Sequence, residues 1–373
     1  MKKYLLLALV MCVTLFYGFA PVKAEQNLGL EGKAQILMDF ETGEVLLENN
    51  AKSHLPIASV TKLTTLLLCL EALDEGRISL DEKVVASENA ASMGGSQVFI
   101  ESGGEYKVEN LLRAIAIASA NDASVVMAEK LAGSEESFVS IMNDRLVELG
   151  CEDTHYTNCT GLPSAEAFSC AFDVAKVLAC VVTHPLYFEI SKVWMEDFVH
   201  PNNRITQISN TNKLLKRYAF CDGGKTGSTS EAKFCMGATA KKGDMRLIGV
   251  VLGADNSEAR FSSLERMFEW GFNSFVSRKI VDSQKSSKVD IRWGKTLLEI
   301  KPKTDYCVVE MKNENREYNV DYLMDNLSAP IKTGDKVGKV IVSKDNIVLA
   351  EIELVATNDV AELSVWQIFK KIT

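Results

Sequence analysis

The stretch from Leu55 to Leu68 reads LPIASVTKLTTLLL, and the fold is decided by how it is read. Pro56 stops whatever precedes it. From Ser59 onward, Val60, Leu63, Leu67 and Leu70 fall at the i, i+3 and i+4 spacings of an apolar helix face. Ser59 and Lys62 stand three residues apart at the start of that helix, so they share a face and the amine lies close to the hydroxyl. A serine hydroxyl at its ordinary pKa is a poor nucleophile and needs a neighbouring base. Most serine hydrolases use histidine for this, and the chain has four: His54, His155, His184 and His200. A lysine one turn away is the other workable base, provided desolvation or a second cation pushes its pKa down. The helix N-terminus adds unpaired N–H groups and a positive dipole end, which favour negative charge developing beside Ser59. S-x-x-K is a short pattern, however, and recurs at Ser230 and Lys233, so alone it carries little.

The rest of the chain sets the context. Its 373 residues suggest two domains, and 47% hydrophobic with 24% charged residues is a globular composition. Lys2 and Lys3, the apolar run Leu5 to Ala20 and the tripeptide Val22-Lys23-Ala24 make residues 1–24 a signal peptide, with the mature chain beginning near Glu25. Met11 is too large for a lipoprotein signal at Cys12. Loss of those residues removes three lysines and no acid, taking the net charge from −9 to −12. Such a surface repels phosphate backbones, so nucleic acid is excluded as a partner. Eight cysteines remain: Cys69, Cys151, Cys159, Cys170, Cys180, Cys221, Cys235 and Cys307. Without C-x-x-C or zinc-like spacing they read as buried free thiols rather than disulfides or metal ligands.

Residues 33–49 read as a hairpin turning at Glu41-Thr42-Gly43. The helix from Ser59 ends near Glu75-Gly76, and a loop-rich stretch with glycine pairs at Gly94-Gly95 and Gly103-Gly104 follows. Val108 to Ala118 is an apolar helix that breaks at Ser119-Ala120-Asn121-Asp122, where Asn121 or Asp122 suits the N-cap of the helix that runs on to about Leu131. Helices follow over 135–149 and 172–182, with a loop at 158–169 between them. A strand over 219–229 carries Gly223, Gly224 and Gly227, which mark a close backbone approach. A hairpin over 234–252 and a helix over 258–275 complete an antiparallel sheet flanked by helices, an α/β (α+β) layered domain over 25–280. A polar stretch at 282–288 leads into a second, all-β domain over 284–360, whose own Lys332-Thr333-Gly334 reads as a turn. In the last residues, 361–373, Val365, Trp366, Ile368, Phe369 and Ile372 share a helical side opposite Lys370 and Lys371. Two readings stand for this tail: a helix packed on the β domain, or an amphipathic helix on a membrane surface.

Three short motifs occur in a fixed order: Ser59-x-x-Lys62, Ser119-x-Asn121 and Lys225-Thr226-Gly227. Together they resemble the set carried by penicillin-binding proteins and serine β-lactamases. The stretches LPIASVTKLTT, GGSQVFIESGG, SANDASVVMAEKLAGS, NCTGLPS, NTNKLL, DGGKTGST and MRLIGVVLGA resemble the low-molecular-weight D-alanyl-D-alanine carboxypeptidases. The resemblance implies a penicillin-binding-protein/β-lactamase-like transpeptidase fold. It also implies a serine peptidase that cleaves between two D-alanines of a cell-wall stem peptide through an acyl-enzyme, is inhibited by β-lactams, and uses no metal or other cofactor.

Carried over by matching position, Ser59 is the nucleophile and Lys62 its base. Ser119 relays a proton, and Asn121 holds Lys62 and the peptide amide. Lys225 keeps Lys62 deprotonated by repulsion and favours the substrate carboxylate. Thr226, Gly227 and Ser228 line the substrate, with the backbone N–H groups of Ser59 and Ser228 as the oxyanion hole. Gly227 lets an extended peptide lie along the strand edge. The family usually carries His-Tyr-Ser-Thr after its GLP loop, where this chain has Ala167-Phe168-Ser169-Cys170. The implied partners are peptidoglycan stem peptides and β-lactams, and the implied place is outside the cytoplasmic membrane. Two alternatives stand: a serine β-lactamase, though no E-x-x-L-N segment lies between Asn121 and Lys225, and a catalytically impaired β-lactam or wall binder.

Overall fold

A computed structural model of the chain describes residues 28–314 and 316–372. The leader expected at 1–24, with Cys12, lies outside the described residues. The first unit is built on five antiparallel strands, β1 (Ala34–Asp39), β2 (Val45–Asn49), β3 (Cys221–Thr229), β4 (Lys233–Lys242) and β5 (Met245–Ala254), in the order β2-β1-β5-β4-β3. Every residue of β1 and β5 is buried, because helices cover both faces of the sheet. Ile36, Ile248 and Val250 pack with Leu63, Val174 and Leu178 on one face, while Leu37, Leu247 and Val251 pack with Leu264 and Phe268 on the other. That two-sided burial is why AQILMD and MRLIGVVLGA read as continuous apolar runs rather than as alternation. The covering helices are α1 (Lys62–Asp74) and α3 (Ala171–Val181) on one face and α4 (Ser257–Ser274) on the other, with α2 (Asn121–Ala132) packed against α1.

The helical stretch differs from the sequence reading at its start. Residues 58–61 form a 3-10 turn, entered through Ala58 at φ +50°, and the α-helix begins only at Lys62. Ser59 therefore sits on a tight, strained turn ahead of the helix. The second expected helix is also interrupted. It is α-helical over Val108–Arg113, turns π-helical over Ala114–Ala118, and ends on Ser119 in the left-handed region (φ +62°, ψ +33°). Nothing in the run AIAIA distinguishes a π turn from an α turn. The residue capping α2 is Ala120, so Asn121 is free to point elsewhere. A helix at Pro185–Ser191 and a hairpin of Met195–Val199 with Ile205–Ser209 fill the part of the chain for which no element is predicted from the sequence.

The polar stretch after position 281 is a short turn at 282–286 between two strands. A strand, Phe275–Val281, runs through position 280 and pairs with Tyr306–Met311. Phe275 and Val309 belong to the α4 side of the first core, whereas Val281 belongs to the second. Beyond it, five antiparallel strands (Ser287–Val289, Leu298–Pro302, Ile347–Ala356, Lys336–Lys344 and Asn319–Met324, in sheet order) close over their own core of Leu298, Val337, Val340, Val342 and Leu354. Lys332-Thr333-Gly334 is an exposed turn whose Thr333 is held by Asp359, far in role from the other KTG. The chain ends in α5 (Val365–Ile372), with Val365 and Trp366 exposed rather than packed on the β domain.

The eight cysteines of the described residues are free thiols, six of them buried. Burial pushes the thiols of Cys69, Cys151 and Cys170 up to about 12.

Leu67 is fully buried in the core between α1 and the sheet. Leu67→Ala should cost about 2–5 kcal/mol of unfolding free energy, read from the midpoint of a urea titration; a loss under about 1 kcal/mol would place that side chain outside a packed core.

Candidate active site

Three elements converge on Ser59. The first is the 3-10 turn itself, which Ile57 caps with no side chain, its carbonyl accepting from the amide of Val60. The second is β3, an edge strand that approaches through Gly227. A Cβ at Gly227 would lie 2.5 Å from Ile57 O and 2.9 Å from the amide nitrogens of Ser59 and Val60. Of the clustered glycines Gly227 marks the approach to the Ser59 turn, whereas Gly223 faces Tyr187 and Gly224 faces the backbone of β4 at Gly237 and Ala238. The strand's outer edge is open for a different reason, its terminal position in the sheet. The third element is the loop Asn158–Leu162. Gly161 (φ +78°) would put a Cβ 2.0 Å from Ala58 O. Two glycines thus clamp one serine backbone.

Lys62 is fully buried, and its Nζ lies 3.1 Å from Ser59 Oγ, 2.6 Å from Asn121 Oδ1 and 2.6 Å from Thr160 O. A neutral amine has two N–H bonds, which Asn121 Oδ1 and Thr160 O accept, and its lone pair is then left facing the Ser59 hydroxyl. The pKa of Lys62 is pushed down to about 7, chiefly by burial, with the carboxylate of Asp122 pulling the other way. Burial also pushes the Cys159 thiol well up, so it stays protonated.

Lys225, on β3, is equally buried and donates to Ser119 Oγ at 2.8 Å and Thr226 O at 2.9 Å. Its pKa is also held well below the usual lysine range, by burial first, then by the Lys62 charge and by Arg260. Burial is the first cause for both amines, and the charge on either one disfavours the charge on the other. A carboxylate arriving beside Lys225 would restore its charge.

The walls have their own supports. Asn121 is oriented by Gly94 O, which accepts from its Nδ2 at 2.7 Å, and Asn121 N donates to Ser96 O. Buried Asp122 receives the amides of Val98 and Ile100 and so holds the same loop. The Gly94-Gly95 pair is a turn, as its composition suggests, but a turn that aims a site residue. Ser119 is kept in its left-handed conformation, at a cost of about 1–3 kcal/mol for a non-glycine residue, by the π turn before it. Thr226 Oγ1 donates to Thr211 Oγ1 at 2.8 Å, and Thr211 N donates to Ile117 O, tying β3 to that π turn. Ser228 is exposed on the open edge.

Several contributors escaped the sequence reading. The carbonyl of Thr160 is one, and a backbone atom leaves no mark in a sequence. Asn158 is another: its Oδ1 accepts from the amides of Thr160, Gly161 and Leu162 and from Thr160 Oγ1, shaping the loop that presents that carbonyl. An asparagine two residues before Thr-Gly was a usable signal for such a turn. Arg260 of α4 braces β3 from behind, donating to Gly227 O and Cys235 O. It has no sequence signal. Of the second S-x-x-K pair, Ser230 lies on the exposed turn after β3 and Lys233 is the exposed first residue of β4, so no helix brings them to one face.

Residues 21–256 match the family model described as D-alanyl-D-alanine carboxypeptidase, and residues 275–362 match the penicillin-binding protein 5 C-terminal domain. The chain is 39% identical over 342 residues to the D-alanyl-D-alanine carboxypeptidase DacF of Bacillus subtilis (strain 168), covering 90% of this chain and 88% of that one. Penicillin-binding protein 5 from Haemophilus influenzae superposes with a TM-score of 0.72 at 28% identity, over 89% of this chain and 98% of its own. Penicillin-binding protein D2 from Listeria monocytogenes, solved in an ampicillin-bound form, gives 0.59 at 32% identity over 66% and 99%.

Because Lys62 titrates near about 7, the rate at which an activated acyl donor modifies Ser59 should climb with pH and reach half its maximum there. A flat profile between about pH 5 and 9 would remove Lys62 as the base. Gly161→Ala, which drives a methyl into the Ala58 carbonyl, should slow the same acylation on the order of 10²-fold; stopped-flow rates close to those of the unaltered protein would show the turn to be tolerant.

Proposed function

This chain belongs to the D-alanyl-D-alanine carboxypeptidase family, and from that premise we propose how its residues carry out the reaction: as a serine-type peptidase, it removes the terminal D-alanine from peptidoglycan stem pentapeptides. The observation that carries the reading is the buried amine of Lys62, with two fixed acceptors and its third direction on Ser59 Oγ. Lys62 takes the Ser59 proton as Oγ attacks the carbonyl between the D-alanines. The backbone N–H groups of Ser59 and Ser228 receive the oxyanion. Ser119, held by Lys225, passes a proton toward the departing amine, and Lys225 with Thr226 binds the terminal carboxylate. Asn121 holds Lys62 and the substrate amide, and the peptide pairs with the open edge of β3 beside Gly227 and Ser228. Water then releases the acyl group. β-Lactams acylate the same serine.

The β-lactamase alternative lacks support at one atom. On the loop that faces Lys62 the nearest group is the Thr160 carbonyl, which accepts hydrogen bonds but cannot take a proton from water. Glu166 of that loop is exposed. A dead binder is disfavoured because the base–nucleophile contact is intact.

We read the chain as a peptidase unit over 25–280 and a β-rich unit over 284–360, acting outside the cytoplasmic membrane. The exposed Val365 and Trp366 of α5 support peripheral contact of the 361–373 tail with that membrane's outer face.

Ser59→Ala should abolish D-alanine release from a D-Ala-D-Ala peptide and abolish covalent penicillin labelling, while Lys62→Ala should lower both by roughly 10²–10⁴-fold. Mass spectrometry of a pentapeptide muropeptide before and after incubation reads the first effect. A penicillin adduct mapped to any other side chain would overturn the assignment.

A further inference from the structure

The hairpin of Met195–Val199 with Ile205–Ser209 takes no part in the reaction as described, yet it touches both supports of the wall that carries Ser119 and Asn121. Its second strand packs on the π turn that ends at Ser119. Its tip reaches the loop at 94–101, whose Gly94 and Ser96 carbonyls hold Asn121. Arg204 Nη2 donates to Phe99 O at 2.6 Å, and Arg204 Nε and Asn202 Nδ2 both donate to the Glu101 carboxylate. Phe99 is a bulky residue at φ +63°, a conformation that persists only where its surroundings impose it. Glu101 N in turn donates to Tyr106 Oη at 2.9 Å.

His200 stands behind these contacts and is only 2% exposed. Its Nδ1 lies 3.0 Å from Arg204 Nη2 and 3.2 Å from Tyr106 Oη, and its Nε2 lies 2.9 Å from Thr206 Oγ1. A guanidinium can only donate, so Nδ1 carries the lone pair and Nε2 the proton. The titratable groups facing the ring are Tyr106, Arg204, Glu101 and Asp122. Burial first, and then Arg204, hold the imidazole below its ordinary pKa, against the pull of the two carboxylates. A proton on Nδ1 would take the acceptor away from Arg204 and Tyr106, and would set a second cation against the guanidinium.

We propose that His200 is a positioning residue for the reaction read above: neutral, it locks Arg204 and Tyr106 onto the 94–101 loop and so keeps Asn121 on Lys62, and protonated, it releases that loop. The hairpin thereby gives the site a second proton-sensitive element, remote from the serine and independent of the lysine.

The test is the rate at which benzylpenicillin acylates Ser59 in the full chain, read by quench-flow and intact mass between about pH 4 and 9. On a logarithmic scale the rate should fall with a slope of about one as Lys62 takes its proton, and more steeply once His200 takes its own. His200→Asn, whose amide oxygen can accept but cannot titrate, should show a single slope throughout. Arg204→Gln alters a side chain that reaches the surface. It should lower acylation at about pH 9 on the order of tenfold, in the limiting rate rather than in the half-saturating concentration. Added to Asn121→Ala, it should cost nothing further, because its effect runs through Asn121. A single slope in the unaltered protein overturns the role of His200 while leaving the reaction standing. So does a steepening that survives His200→Asn, or an Arg204→Gln loss that multiplies undiminished with that of Asn121→Ala. Acylation that persists in Ser59→Ala overturns the reading of the reaction, and the role of His200 with it.

Discussion

The structure depends on keeping one amine dry. Lys62 is wholly buried, and an ammonium there would lose most of its hydration. The fold answers with two acceptors only, Asn121 Oδ1 and Thr160 O, from two different segments. Two acceptors satisfy a neutral amine and leave an ammonium one partner short, unless the serine oxygen supplies it. The same geometry therefore sets the pKa and aims the lone pair. Gly161 and Gly227 serve this arrangement, because each removes the side chain that would hold its segment off the Ser59 turn.

Much of this was legible in the sequence. Periodicity placed Leu63, Leu67 and Leu70 of α1 and Val60 of the preceding turn in the core, each at most 1% exposed, although α1 is buried on every side over Lys62–Leu70. Residue order brought Ser59, Lys62, Ser119, Asn121 and Lys225 under suspicion, and they form two hydrogen-bonded groups, Ser59–Lys62–Asn121 and Ser119–Lys225, with the Lys62 charge felt at Lys225. The illegible parts share a cause: they are properties of backbone. The 3-10 turn at Ala58, the π turn at 114–118 and the left-handed Ser119 use residues with no special propensity for those conformations. Surrounding packing imposes them, and propensity is a weak prior against packing. The Thr160 carbonyl is invisible for a simpler reason, since every residue has one.

The boundary between the two units shows composition of a different kind at work. The polar run at 282–288 resembles a linker, yet the strand before it already pairs across with Tyr306–Met311. Within the run, Asp282 accepts from the amide of Gln284, and Lys279 of the strand before it pairs with Asp305. Polarity marked an exposed strand end. It did not mark slack.

The unpaired thiols have a consequence for how the chain must mature. Once folded, Cys69, Cys151 and Cys170 are shut away from oxidants as protonated, unreactive groups. Before folding, the same groups sit at an ordinary thiol's pKa of about 8.5 and are open to exchange. In an oxidising environment, collapse of the core then races against mispairing, and each wrong crosslink would trap a chain that cannot close around Lys62. Enzyme recovered after refolding should consequently be governed by the redox poise during that brief window, and hardly at all by the poise to which the finished molecule is later exposed.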